Sequence, residues 1–109
     1  MVTREVEASV QEYLAALIAA GIPVSFAVVF GSQARGDADE TSDIDLIVVS
    51  PYYDDHRSFD DILRLWHPET AHDWRLEPIA CGLREWEEDD GRPILEVARL
   101  EGRQIWPAE

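Results

Sequence analysis

Apolar residues return at helical spacing near the start of the chain. Val6, Val10, Leu14, Leu17 and Ile18 line one side of residues 4–20, Thr3 stands where an N-cap belongs, and Gly21 stands where a helix stops. Past Pro23 the pattern becomes a continuous apolar run, Val24 to Phe30, and after a polar stretch a second one, Ile44 to Val49. Both are β-branched and too short for buried helices, so both are predicted strands. Pro51 ends the second, and Tyr52 to Arg57 reads as loop. Ser58-Phe-Asp-Asp61 has capping-box spacing, with Asp in place of the usual Glu. It predicts a helix whose Phe59, Ile62, Leu63 and Trp66 form one core-facing stripe up to Pro68. Trp66 at that spacing reads as core rather than as a platform for a nucleobase.

Trp74 to Cys81 predicts a third strand in which Arg75, Glu77 and Ile79 share a face, with Pro78 marking an edge or an end. Leu83 to Asp90 predicts a short acidic helix broken by Gly91-Arg92-Pro93. Ile94, Leu95, Ala98 and Leu100 predict a last helix, and Gly102 leads to a small closing strand, Arg103 to Trp106. This order implies an α/β (α+β) fold, a small mixed sheet with helices packed mainly on one side. At 109 residues the expectation is one domain spanning 1–109.

Charge narrows the partners. A net charge of −14 comes from 23 acids against nine bases, all arginine. Such a surface repels nucleic-acid phosphates and has no counterions to release, so direct nucleic-acid binding is not expected, whereas a basic protein partner would be attracted. Cys81 is the sole cysteine and predicts a buried thiol, not a disulfide. His56, His67 and His72 form no zinc-ligand spacing and read as surface residues. Arg4, Glu5 and Glu7 do not make a basic leader, and Tyr13 to Val24 is too short to span a bilayer, so a soluble cytoplasmic protein is expected.

The chemistry concentrates where the first two strands meet. Phe30-Gly31-Ser32-Gln33-Ala34-Arg35-Gly36-Asp37 follows one strand, and Ser42-Asp43-Ile44-Asp45 opens the next. Residues i and i+2 of a strand share a face, so Asp43 and Asp45 point the same way and repel each other unless a cation lies between them. All-oxygen ligands suit Mg²⁺, with Mn²⁺ an alternative, and Mg²⁺ takes few carboxylates together with substrate phosphates. A site for two ions needs a third carboxylate. Glu77 is the candidate, an acid in an otherwise apolar strand where an unpaired charge is costly; pairing with an arginine is the alternative. Gly31 lets backbone approach a bulky anion, Ser32 adds a hydroxyl or a cap for a short helix beginning near Gln33, and Arg35 is the loop's cation. Gly31-x4-Gly36 is not a P-loop, because Asp37 and Ala38 occupy the places of its Lys and Ser/Thr. Asp37-x-Asp39 is not an EF-hand, because Ser42 and Val48 replace its glycine and its bidentate Glu. Asp37, Asp39 and Glu40 read as solvated.

Gly31-Ser32, ten intervening residues and Asp43-x-Asp45 resemble the signature of the polymerase-beta nucleotidyltransferase superfamily, and in particular of the minimal nucleotidyltransferase (MNT) proteins. The resemblance implies transfer of a nucleotidyl group, AMP from ATP or another NTP. In that reading Asp43, Asp45 and Glu77 serve as catalytic and metal residues for two Mg²⁺ ions, while Gly31, Ser32 and Arg35 bind nucleotide. It also implies a partner, since minimal proteins of this kind are similar to antitoxins that adenylylate helical HEPN-type toxins on a tyrosine. Two other readings stay open: an antitoxin acting by binding alone with a vestigial site, and an adenylyltransferase for a small molecule such as an aminoglycoside.

Overall fold

The computed structural model describes residues 2–39, 41–67, 73–88 and 91–108. Glu40, Pro68, His72 and Asp90 of the sequence reading lie outside these. Helix α1 runs Arg4–Ala19, with the Thr3 side chain accepting the amide of Val6 as the spacing predicted. Strand β1 is Phe26–Phe30, helix α2 is Ser32–Arg35, and strand β2 is Ile44–Ser50. Helix α3 is Tyr52–Asp55, and helix α4, Phe59–Leu63, passes into a 3-10 turn over Arg64–Trp66. Strand β3 is Leu76–Gly82, helix α5 is Leu83–Glu88, helix α6 is Pro93–Glu101, and strand β4 is Arg103–Ile105.

The four strands form one mixed sheet in the order β3-β2-β1-β4. β1 is antiparallel to β2 and β4, and β2 is parallel to β3. Strand alternation then divides the side chains between two cores. On the larger side Val10, Tyr13, Leu14 and Leu17 of α1 pack with Ala27, Val29, Leu46, Val48 and Ala80. Tyr13, Leu14 and Leu17 are fully buried, and each such side chain contributes about 1.5–3 kcal/mol through the apolar surface it removes from water. The Tyr13 hydroxyl donates to the carbonyl of Leu65 at 2.8 Å, so its polar tip has a partner inside that core. On the other side α5 and α6 cover a smaller set, in which Leu95, Ala98 and Trp86 meet Val28, Ile47, Val49 and Cys81.

Several expectations need correction. Tyr52 to Arg57 is not loop throughout: four of its residues form α3, which lets Tyr53 bury fully. Of the stripe Phe59, Ile62, Leu63 and Trp66, Ile62 alone packs on the core. Phe59, Leu63 and Trp66 are exposed, and Leu65 is the residue buried in their place. The chain tightens into a 3-10 turn at Arg64, where positions three apart eclipse, so Ile62 and Leu65 share the inward side and Trp66 turns out. Ser58 and Asp61 do form the reciprocal capping box. The first strand begins at Phe26 rather than Val24, and the third at Leu76 rather than Trp74. Arg75 therefore sits in the turn before β3 and does not share the face of Glu77; it pairs with Asp73 at 2.8 Å and with Glu5 of α1 at 3.8 Å. β3 is an edge strand, which accommodates Pro78. The Cys81 thiol is buried, and burial pushes its pKa up to about 12. His56 and His67 are exposed.

Candidate active site

The hairpin register of β1 and β2 pairs Phe30 with Asp45, so the end of the first strand lies beside the start of the second. In the next ladder Asp45 is paired with Glu77. Alternation puts Asp45 and Glu77 on the same face as Ile47 and Ile79, the face on which α6 packs. Asp43 lies just before β2, and the amide of the next residue, Ile44, donates to the carbonyl of Arg75 at 2.7 Å, extending the parallel ladder toward the site. Asp43 is exposed, while Asp45 and Glu77 are half-buried.

These three carboxylates feel one another. Glu77 is held above the ordinary carboxylate range, first by loss of solvent and then by the negative charges of Asp43 and Asp45. No arginine reaches Glu77 among the described residues, so the structural alternative for it is not realised. Among the described residues no three acidic, histidine or cysteine side chains close on one point as a ready ion cage. The donor set nevertheless fits a hard divalent cation: oxygen ligands only, adjacent like charges, and a raised carboxyl that a cation would relieve.

The glycine turn stands beside Asp45. Gly31 has φ +74°, in the left-handed region, and a Cβ built there would come within 2.7 Å of Asp45 Oδ2. Glycine is thus required twice, for backbone and for space. Gly31 takes the cap position of α2, so Ser32 is the first helical residue and not the cap; its hydroxyl makes no hydrogen bond among the described residues. Gly36, at φ +85°, closes the helix in the left-handed conformation. Arg35 is half-exposed and pairs with Asp37 and with Glu101, each at 3.3 Å.

Two residues of the site escaped the sequence reading. Glu101, the last residue of α6, accepts the amide of Gly31 at 3.0 Å. One clue was available, because an acid at a helix C-terminus opposes the helix dipole and calls for a partner. Gln33 is buried and donates from Nε2 to the carbonyls of Ser42 and Asp43, each at 3.4 Å, joining α2 to the aspartate loop. No signal in the sequence marked it, since its neighbours Ser32, Arg35 and Asp37 are polar as well.

A family model described as "Nucleotidyltransferase domain" matches residues 10–94. Among solved structures, the chain is similar to a Sulfolobus solfataricus protein provisionally named a nucleotidyltransferase. The TM-score is 0.64 at 20% identity, with 93% of this chain and 79% of that one covered. It is also similar to a chain from a toxin-antitoxin structure with AMP-PNP, at TM-score 0.61 and 18% identity, covering 94% of this chain and 74% of that one. At these identities the two structures speak for the fold. Among curated proteins the sequence finds no match. With the match spanning most of the sequence and taking in Gly31, Ser32, Asp43, Asp45 and Glu77, the chain belongs to the nucleotidyltransferase domain family.

Proposed function

We propose that the protein, as a single domain over residues 1–109, transfers AMP from ATP to a hydroxyl of a protein partner, and that this partner is a toxin of the HEPN type. The observation that carries the reading is the pairing of Asp45 with Glu77 directly beside the Gly31 turn. The family supports nucleotidyl transfer. The toxin-antitoxin neighbour with AMP-PNP supports the choice of partner and of nucleotide, and the acidic surface suits a basic partner.

In this reading the acceptor oxygen attacks the α-phosphorus, a new P–O bond forms, and the bond to pyrophosphate breaks. Glu77, paired across the ladder with Asp45, takes the hydroxyl proton. Asp43, Asp45 and Glu77 are the residues that would hold Mg²⁺, which supplies charge neutralisation at the phosphates and a more acidic acceptor. The Ser32 hydroxyl and the first amides of α2 face the terminal phosphates, and Arg35 offsets charge on the leaving group. Most of the rate then comes from positioning and electrostatics. The place of action in this reading is the cytoplasm; among the described residues no helix is long and apolar enough to cross a membrane.

A second reading, neutralisation by binding alone, is favoured by one feature: Phe59, Leu63 and Trp66 leave an apolar stripe exposed on α4 and its 3-10 turn, available for burial against a partner. Incubation with labelled ATP, Mg²⁺ and the toxin separates the two. Label on the toxin that disappears in Asp43→Ala supports transfer; tight complex formation without label, unchanged in that variant, supports binding alone. Label on neither protein but on an added aminoglycoside would shift the acceptor to a small molecule.

A further inference from the structure

The two aspartates of the site are held in different ways. Asp45 lies in both ladders of β2, opposite Phe30 on one side and Glu77 on the other. Asp43 is in neither register, because β2 begins at Ile44 and β1 ends at Phe30, where Gly31 turns the chain at positive φ into α2. A side chain of α2 reaches it instead. The Nε2 of Gln33 donates to the carbonyls of Ser42 and Asp43, each at 3.4 Å, and so stands in for the strand that has left the sheet.

Satisfying those two carbonyls does not by itself require Gln33. Ser42 is half-buried and Asp43 exposed, so solvent reaches both residues, whereas ordering and burying a long amide costs rotamer freedom and hydration. Gln33 is nevertheless 5% exposed and, with Ser50, one of two buried polar residues among the described residues. What the amide supplies is position. The segment it grips is already braced, since the Asp39 carboxylate accepts the Thr41 amide at 2.8 Å and the Asp39 carbonyl accepts the amide of Ser42 at 3.2 Å. Helix α2 has four residues, too few to be stable alone. Gln33 thus joins a helix that needs support to a stiff loop, with Ser32 on one side of the joint and Asp43 on the other.

We propose that Gln33 is a positioning residue of the transfer site: its amide sets where Asp43 stands relative to Ser32, and through Asp43 it governs how tightly the site takes a nucleotide together with a divalent cation. Mg²⁺ carrying a nucleotide takes ligands from carboxylates and phosphates at once. A carboxylate displaced from the turn that faces the phosphates therefore lowers affinity although every ligand is still present. The inference rests on the reading of Asp43 as a residue that holds the cation.

The test titrates the full chain with the Mn²⁺ complex of α,β-methylene-ATP, whose α–β bridge resists cleavage, and reads binding by water proton relaxation; metal-free melting temperatures are measured beside it. Gln33→Met keeps length and removes the donors, and Gln33→Asn keeps the amide one methylene too short to reach. Each should weaken binding about three- to tenfold, the scale of a lost neutral hydrogen bond, and either carries the test if the other does not fold. Ser50→Ala, at the far end of β2, removes the other buried polar group. It should lower the melting temperature and leave affinity within about twofold, which separates position from general loss of stability. Asp43→Ala should weaken binding more than either Gln33 variant. Loss in Asp43→Ala with none in the Gln33 variants, or equal loss in Ser50→Ala, would overturn the role of Gln33 alone. Unchanged binding in Asp43→Ala would overturn the reading of Asp43 and this inference with it.

Discussion

The Glu101 carboxylate accepts the amide of Gly31 at 3.0 Å, tying the end of α6 to the turn that opens α2 across most of the chain. The amide of Gly31 is therefore already committed, and what Gly31 offers a nucleotide is its shape; the free donors of the turn begin at Ser32. The same carboxylate steadies Arg35.

Glu101→Ala should loosen the turn and release Arg35 without touching the carboxylate row. A hydrogen bond to a charged group contributes about 1.5–3 kcal/mol, so KM for the nucleotide should rise about tenfold or more, with kcat less affected. Glu101→Gln keeps an acceptor for Gly31 and should recover most of that loss. If the Gln variant is as impaired as the Ala variant, the charge on Arg35, not the hold on the turn, is what Glu101 supplies.

Gly31→Ala tests the turn from the other side. The new Cβ would lie 2.7 Å from Asp45 Oδ2 and the backbone would be held at positive φ. Strain of this kind costs about 1–3 kcal/mol. A lowered melting temperature together with lost transfer is expected. A fully stable, active variant would show that Asp45 does not lie against the turn.

Asp45→Asn removes one of the negative charges that act on Glu77. Without divalent ions this variant should melt higher than the unsubstituted protein, because a repulsion has been relieved. With Mg²⁺ and ATP the order should reverse, since ligand binding stabilises only the protein that binds. Differential scanning fluorimetry in both conditions reads this directly, and an unsubstituted protein unmoved by Mg²⁺ and ATP would sink the site assignment.

Much of this site could be read from the chain before any coordinates, because its key contacts are local or follow from strand period. Gly31 and Asp45 belong to one hairpin, and Glu77 announces itself as an acid in an apolar strand. Glu101 was hidden because its partner lies far away in sequence, and an acid at a helix end resembles any solvated charge. The inward turn of Leu65 was hidden for a different reason. Periodicity assumes 3.6 residues per turn, and the shift to a 3-10 turn at Arg64 moves the buried face without any change in composition. Arg75 was misplaced because the strand starts two residues later, which frees its side chain to meet Asp73 and Glu5.

Asp73 gives the acid limit of stability a specific source. It accepts the Ser9 hydroxyl at 2.8 Å and holds the Arg75 guanidinium at 2.8 Å, fixing the turn before β3 to α1. The hydrogen bonds and charge of Arg75, with that of Ser9, bring its pKa from the ordinary 3.8 to about 2. A carboxylate lowered in the folded state stabilises above its unfolded pKa and loses that contribution as the pH falls through the folded one. The window here is therefore between about pH 4 and pH 2, and the contribution is about 2 kcal/mol. Asp73→Asn should lower stability at pH 7 by a similar amount and flatten the acid limb of the stability curve between pH 4 and 2. Denaturant midpoints measured across that range check it. Parallel acid limbs in the two proteins would mean that other carboxylates, and not the tie between α1 and β3, set the acid limit.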